Sequence, residues 1–115
     1  MNEFRRSRRR QVPDHVQVID TMTDEVLGRI GNLSETGMLL MARGPGVDDG
    51  LFQIRFQLAA RGGVVHSLDV GAHQLWAEPH RGAGSYWTGF RFIDISVADA
   101  ERLRAWIDEP GSAYA

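Results

Sequence analysis

The sequence contains no cysteine and no long hydrophobic run, and each absence excludes a class of protein. Without cysteine the chain has no disulfide, no thiolate zinc site and no thiol nucleophile, which fits a cytoplasmic protein. No apolar run approaches the roughly eighteen residues of a membrane span, and no hydrophobic segment follows the basic N-terminus as in a secretory signal. We therefore expect no membrane insertion. At 115 residues the chain is long enough for one domain with a modest core.

Lysine is also absent, so all 13 basic residues are arginine. The net charge of −2 hides an asymmetry. Residues 1–10 carry a balance of +4, whereas the remaining 105 residues carry a balance of −6. Five arginines fall within six positions, and two overlapping pairs have the spacing R-x-x-x-R: Arg5 with Arg9, and Arg6 with Arg10.

The arginine cluster has three interpretations. The cluster can be interpreted as a solvated, disordered tail, as a contact for nucleic-acid phosphates, or as a clamp for a nucleotide. The acidic remainder argues against nucleic acid, because no basic face would continue the footprint. Guanidinium is a planar fork that pairs with phosphate or with the O6/N7 edge of guanine, and it also stacks on a base. Clustered arginine therefore suits a nucleotide ligand.

The hydrophobic pattern predicts a β-rich fold. Apolar and polar residues alternate most clearly over residues 52–58 and 86–93, and shorter apolar segments cover residues 16–20, 26–30 and 38–41. Residues 64–77 are long for one strand, and Gly71 marks a bulge or bend. Ser96 is the expected N-cap of a helix that ends before Pro110. About six antiparallel strands and one terminal helix favour a barrel plugged by the helix, which hides the strand edges.

Residues 32–37 (NLSETG) lie between two apolar segments and have the pattern N-x-S-x-x-G. A plain turn explains the composition, because Asn, Ser and Gly are turn residues. The functional alternative adds chemistry. The amide carbonyl of Asn32 can accept from guanine N–H groups, and the hydroxyl of Ser34 can donate to a base or phosphate oxygen. Gly37 would allow a positive φ or the close approach of a ligand.

An R-x-x-x-R pair followed by D/N-x-S-x-x-G resembles the PilZ domain, a bacterial receptor for cyclic di-GMP, and the resemblance runs from about residue 5 to 108. It implies a six-stranded antiparallel barrel with a C-terminal helix, and cyclic di-GMP as ligand with no other cofactor. Many family members carry Asp where this chain has Asn, which loses the charge-assisted part of a hydrogen bond. The ligand-binding residues that the resemblance implies are Arg6 and Arg10 as the primary pair, Arg5 and Arg9 as supplements, and Asn32, Ser34 and Gly37.

Other side chains give weaker indications. Trp76 is either a core or half-exposed barrel residue or a wall of the ligand site, since indole stacks on guanine or on arginine. His66, His73 and His80 are spaced by sevens, which is no metal signature for strands, so we expect no metal site. No recognisable catalytic constellation is present, and we expect that the chain is not an enzyme.

These features predict three segments: a basic, flexible segment over residues 1–12, a barrel with its helix over residues 13–110, and a frayed tail over residues 111–115. The expected function is a cytoplasmic cyclic di-GMP receptor and adaptor. Five like charges repel until a dianionic ligand neutralises them, so binding would order the N-terminal segment. The signal would pass to an unidentified protein of motility, pilus or exopolysaccharide machinery, with biofilm formation as one output. The alternatives are a PilZ-like pilus or motility adaptor that binds no nucleotide, and a basic-armed barrel that binds nucleic acid.

Overall fold

The computed structural model describes residues 8–13, 15–82 and 84–115. Seven strands and one α-helix account for most of these residues, with a short 3₁₀ turn at Arg61–Gly63 between the fifth and sixth strands. The elements are β1 (Arg10–Gln11), β2 (Gln17–Asp20), β3 (Glu25–Leu33), β4 (Gly37–Ala42), β5 (Leu51–Ala59), β6 (Val65–Pro79), β7 (Tyr86–Ile95) and α1 (Val97–Ile107). No helix in this part of the chain is long and apolar enough to cross a membrane.

Six of the strands close into an antiparallel barrel. Their order is β3-β2-β5-β6-β7-β4, and pairing between β3 and β4 completes the circle. The short β1 lies outside this circle, and β3 is its partner among the seven strands. The predicted six-stranded antiparallel barrel with a C-terminal helix is therefore confirmed.

The core follows from the two-residue period of the strands. In β5, Ile54, Phe56 and Leu58 are buried and the residues between them are exposed, because successive side chains of a strand point to opposite faces. In the long β6 the register with β7 shifts after Gly71, where the sequence analysis placed a bulge or bend.

The terminal helix begins at the predicted N-cap. The hydroxyl of Ser96 accepts from the backbone N–H of Asp99 at 3.0 Å, which satisfies one of the free donors of the first turn. Leu103, Trp106 and Ile107 are buried on the face of the helix that packs on the barrel. The helix therefore closes the core that the strands leave open.

Parts of both chain ends, for which the sequence analysis predicts a flexible segment and a frayed tail, are hydrogen-bonded to each other in the structure. Residues 10 and 11 are already in β1, opposite Leu33 and Asn32 of β3, and Val12 is buried in the core. On the other side of β1, the backbone N–H of Gln11 donates to Ala113 at 2.8 Å. Sequence patterns did not indicate this arrangement, because its hydrogen bonds join residues about a hundred positions apart. Residues 1–7 lie outside the described part of the chain.

Candidate functional site

The arginines that the structure describes in the basic segment divide between two surfaces. The side chains of Arg8 and Arg10 contact the C-terminal end of α1, and the side chain of Arg9 contacts Asn32 in β3. Neighbouring residues of an extended chain point to opposite faces, so this division follows from the extended path through β1. Arg5 and Arg6 lie outside the described residues.

Arg9 joins the arginine cluster to the second motif. Its Nη1 donates to Oδ1 of Asn32 at 3.1 Å, across 23 positions of sequence. Burial lowers the pKa of the Arg9 guanidinium from its ordinary value, because desolvation disfavours the charged form. Among the described residues no carboxylate forms an ion pair with Arg9. The site therefore holds a half-buried positive charge whose described hydrogen-bond partner is neutral.

Arg10 is bound to the helix and not to the motif loop. Its Nη1 lies 3.0 Å from Oε1 of Glu109 and also donates to the carbonyl of Trp106, and its guanidinium lies 3.9 Å from the centre of the Trp106 ring. The sequence analysis took Arg6 and Arg10 as the primary pair. Of the described arginines in the cluster, Arg9 is the one that contacts Asn32 of the second motif.

Arg8 lies on the same side as Arg10. Its guanidinium forms an ion pair with Asp108 at 2.5 Å and lies 4.5 Å from the centre of the Tyr114 ring. The hydrogen bond with Asp108 raises the pKa of Arg8. Arg8 and Arg10 thus have carboxylate partners, in contrast to Arg9.

Ser34 organises the motif loop. It is completely buried, and its Oγ accepts from the backbone N–H groups of Thr36 and Gly37, each at 3.2 Å. The backbone N–H of Ser34 donates to the Gly37 carbonyl at 2.9 Å, which closes the turn. The sequence analysis expected this hydroxyl to face the ligand. In the structure its hydrogen bonds fix the loop that follows Asn32.

Gly37 is required by strand packing. A Cβ at this position would lie 2.2 Å from the Phe90 carbonyl oxygen of β7, closer than any real contact. Its φ lies outside the left-handed region, so a positive φ does not explain the glycine. The residue lets β4 approach β7, where Gly37 pairs with Arg91.

Trp76 lies in a row of outward-facing positions that begins at Asn32. Asn32 is opposite Leu39, Leu39 is opposite Gly89, and Gly89 is opposite Trp76. The indole lies against Gly89, where a Cβ would come within 2.5 Å of its Nε1. Trp76 is 41% exposed, so an open aromatic surface lies on the same outer face of the barrel as Asn32.

A family model described as the PilZ domain matches residues 3–109, which is nearly the whole chain. The chain belongs to the PilZ domain family. PilZ domains are binding and adaptor domains rather than enzymes. No curated protein matches this PilZ domain.

Among solved structures, that of the Bacillus subtilis inhibitor of motility (MotI/DgrA) is similar to this PilZ domain. The TM-score is 0.73 at 14% sequence identity. The match covers 93% of this chain and 50% of the MotI/DgrA chain, so this chain spans about half the length of that neighbour. At this level of identity the likeness shows a shared fold.

Trp87 also lies on the outer face of this PilZ domain, packed on Gly31, and the sequence analysis did not identify this contact. Gly31, next to Asn32, is the extra residue of a bulge in the pairing of β3 with β4. A Cβ on Gly31 would lie 3.0 Å from Cζ3 of Trp87, so this second indole also rests on a glycine. The alternation in β7 could have indicated that Trp87 faces outward. It could not have indicated Gly31 as its partner, because that glycine is far away in the sequence.

Two histidines of this PilZ domain, His73 and His80, contact neighbouring side chains. His73 lies 3.1 Å from Asp49, and the ring of His80 meets Trp87 edge-on at 5.5 Å between centroids. Among the described residues, no group of three or more potential ligand side chains is placed to hold a metal ion.

Proposed function

We propose that this PilZ domain is a non-catalytic receptor for cyclic di-GMP that acts as an adaptor. The observation that carries the proposal is the 3.1 Å contact between Arg9 and Asn32, because it joins the two motifs of the family on one surface. A charged guanidinium beside an amide that can recognise a guanine edge is the pair of groups that a guanine nucleotide needs.

The electrostatics of Arg9 favour an anionic ligand. Burial has removed part of the water around its guanidinium, and the neutral amide of Asn32 compensates only part of that loss. A phosphate oxygen would form the charge-assisted hydrogen bond that Asn32 cannot. The energetic cost of holding Arg9 partly dehydrated would then be recovered on binding.

The two indoles favour a ligand with flat bases. Trp76 and Trp87 lie on glycines of the same outer face as Asn32, and Trp76 is exposed there. Stacking of a base on an aromatic side chain contributes about 1–3 kcal/mol. Guanine would thus be held by stacking and selected by hydrogen bonds.

The residues before Arg8 complete the proposed site. Arg5 precedes Arg9 by four positions, and Arg6 follows Arg5 directly in the sequence. In the proposal this segment becomes ordered over the ligand, because a dianion neutralises clustered positive charge. The ordered segment is then available to a protein partner in the cytoplasm, of motility, pilus or exopolysaccharide machinery, with biofilm formation as one output.

Calorimetry with cyclic di-GMP tests the proposal, with cyclic di-AMP and GTP as controls. We expect specific binding of cyclic di-GMP. Each bidentate contact to guanine discriminates by about 1–3 kcal/mol against the wrong base. Equal affinity for cyclic di-AMP would contradict guanine recognition. No binding of any nucleotide would favour the alternative, a PilZ adaptor that works without the nucleotide.

Arg9→Ala identifies the site. We expect it to weaken binding by about 1.5–3 kcal/mol, the value of a hydrogen bond to a charged group, without unfolding the barrel. Arg8→Ala is the matched control, because it removes the same charge one residue away on the helix-facing side. Equal losses in the two variants would indicate a general charge effect and not a contact at Arg9.

A further inference from the structure

The C-terminal tail, residues 112–115, runs beside the strand that leads from Arg9. The backbone N–H of Ala115 donates to the Arg9 carbonyl at 2.8 Å, and the N–H of Gln11 donates to the Ala113 carbonyl at 2.8 Å. Between these two bonds, Tyr114 is opposite Arg10 in an antiparallel bridge. The tail is therefore hydrogen-bonded along one edge of β1.

The other edge of β1 is hydrogen-bonded to β3, the strand that carries Asn32. Gln11 is opposite Asn32, and the N–H of Val12 donates to the Gly31 carbonyl at 3.0 Å. β1 is thus the middle strand of a three-stranded ribbon, with the tail on one side and β3 on the other. Because the Arg9 carbonyl is bonded to the tail, the tail fixes the backbone from which the Arg9 side chain reaches Asn32.

The tail is in turn fixed to the end of α1. The hydroxyl of Tyr114 donates to the carbonyl of Ile107 at 2.6 Å, and the hydroxyl of Ser112 donates to the carbonyl of Glu109 at 2.6 Å. These carbonyls lie at and just beyond the C-terminal end of the helix, where acceptors lack partners within the helix. A continuous set of contacts therefore leads from the helix end, through the tail, to Arg9.

We propose that residues 112–115 are a positioning element of the ligand site. They hold the backbone of Arg9 so that its guanidinium meets Asn32, and ligand binding at Arg9 stabilises the tail in return. Coupling between two sites is reciprocal, so both effects have the same size. The ligand in this inference rests on the proposed function, whereas the positioning of β1 rests on the contacts themselves.

Ala115→Pro tests the inference in the full chain. Proline removes the single N–H that bonds the Arg9 carbonyl, and its bias of the preceding residue towards extended geometry suits Tyr114 in its bridge. Ala115→Gly is the control, because it keeps the N–H. We expect cyclic di-GMP to bind about three- to tenfold more weakly to the proline variant and equally well to the glycine variant, as measured by calorimetry.

Amide hydrogen exchange gives a second measurement, which needs no ligand. We expect faster exchange at Val12 in Ala115→Pro than in Ala115→Gly, and no change at Ile54 in the core of the barrel. In the unmodified protein, cyclic di-GMP should slow exchange at Ala115. Because the coupling is reciprocal, this slowing should match the factor by which the tail strengthens ligand binding. A purely structural tail would show no such response to the ligand.

The outcomes separate the inference from the function on which its ligand rests. If the unmodified protein does not bind cyclic di-GMP, the proposed function fails, and exchange at Val12 still decides whether the tail positions β1. Binding that is equal in the proline and glycine variants would overturn the inference. Faster exchange at both Val12 and Ile54 would also overturn it, because that result indicates a global loss of stability.

Discussion

Arg10→Ala should destabilise this domain substantially, although its neighbours in the sequence suggest a solvated, basic tail. The guanidinium forms an ion pair with Glu109 at 3.0 Å, and the two side chains are only 17% and 18% exposed. It also donates to the Trp106 carbonyl and stacks on the Trp106 ring at 3.9 Å. The substitution removes all three contacts and leaves Glu109 partly buried without its partner.

The expected loss follows from the individual contacts. A hydrogen bond to a charged group contributes about 1.5–3 kcal/mol, and a cation–π contact contributes about 0.5–2 kcal/mol. Such terms are not additive when they share one side chain, so we expect a loss of about 2–4 kcal/mol. Native domains are stable by only about 5–15 kcal/mol. The melting temperature should fall by roughly 10–20 °C for a domain of this size.

Urea denaturation followed by tryptophan fluorescence measures this loss. Arg8→Ala is the matched control, because its pair with Asp108 is 56% and 52% exposed at the side chains and solvent screens it. We expect a much smaller change for Arg8→Ala than for Arg10→Ala. If Arg10→Ala unfolds at the same urea concentration as the unmodified protein, Arg10 does not fasten β1 to the helix.

Two further substitutions test the motif loop. Gly37→Ala should lower the free energy of unfolding, measured by urea denaturation, by about 1–3 kcal/mol, because its Cβ would lie 2.2 Å from the Phe90 carbonyl oxygen. Gly44→Ala, where a Cβ would meet no atom within 4 Å, is the control and should lower it far less. Equal losses in the two variants would contradict the packing role of Gly37. Asn32→Asp should raise stability at pH 7, because Arg9 then gains a charge-assisted partner. The carboxylate would have a lowered pKa in the folded state, so the gain should be lost as the pH falls through that folded-state pKa. The gain should also be absent at pH 7 in an Arg9→Ala background.

The parts of the fold that the sequence predicted are those that local patterns determine. Alternation over β5 and β7 identified buried faces, because a strand places every second side chain in the core. Ser96 identified the start of the helix, because a cap acts within three residues. Closure into a barrel was favoured because it hides strand edges, and the resemblance to the PilZ domain implied the same architecture.

The parts that the sequence did not predict depend on distant partners. Arg10 lies beside Glu109, and the tail lies along β1, only because the fold brings the two chain ends together. No periodicity links positions so far apart. The role of Gly37 was missed for the same reason, since the atom that excludes a side chain there belongs to Phe90 on another strand.

The arginine register illustrates how structure changes the reading of a motif. In sequence, Arg9 and Arg10 are each the second member of an R-x-x-x-R pair, and the sequence analysis placed Arg10 in the primary pair. Once the segment is extended, neighbouring side chains must face opposite ways. The face that meets α1 offers Glu109, and the face that meets β3 offers the neutral amide of Asn32. The carboxylate already compensates Arg10, so of these two arginines Arg9 has more to gain from an anionic ligand.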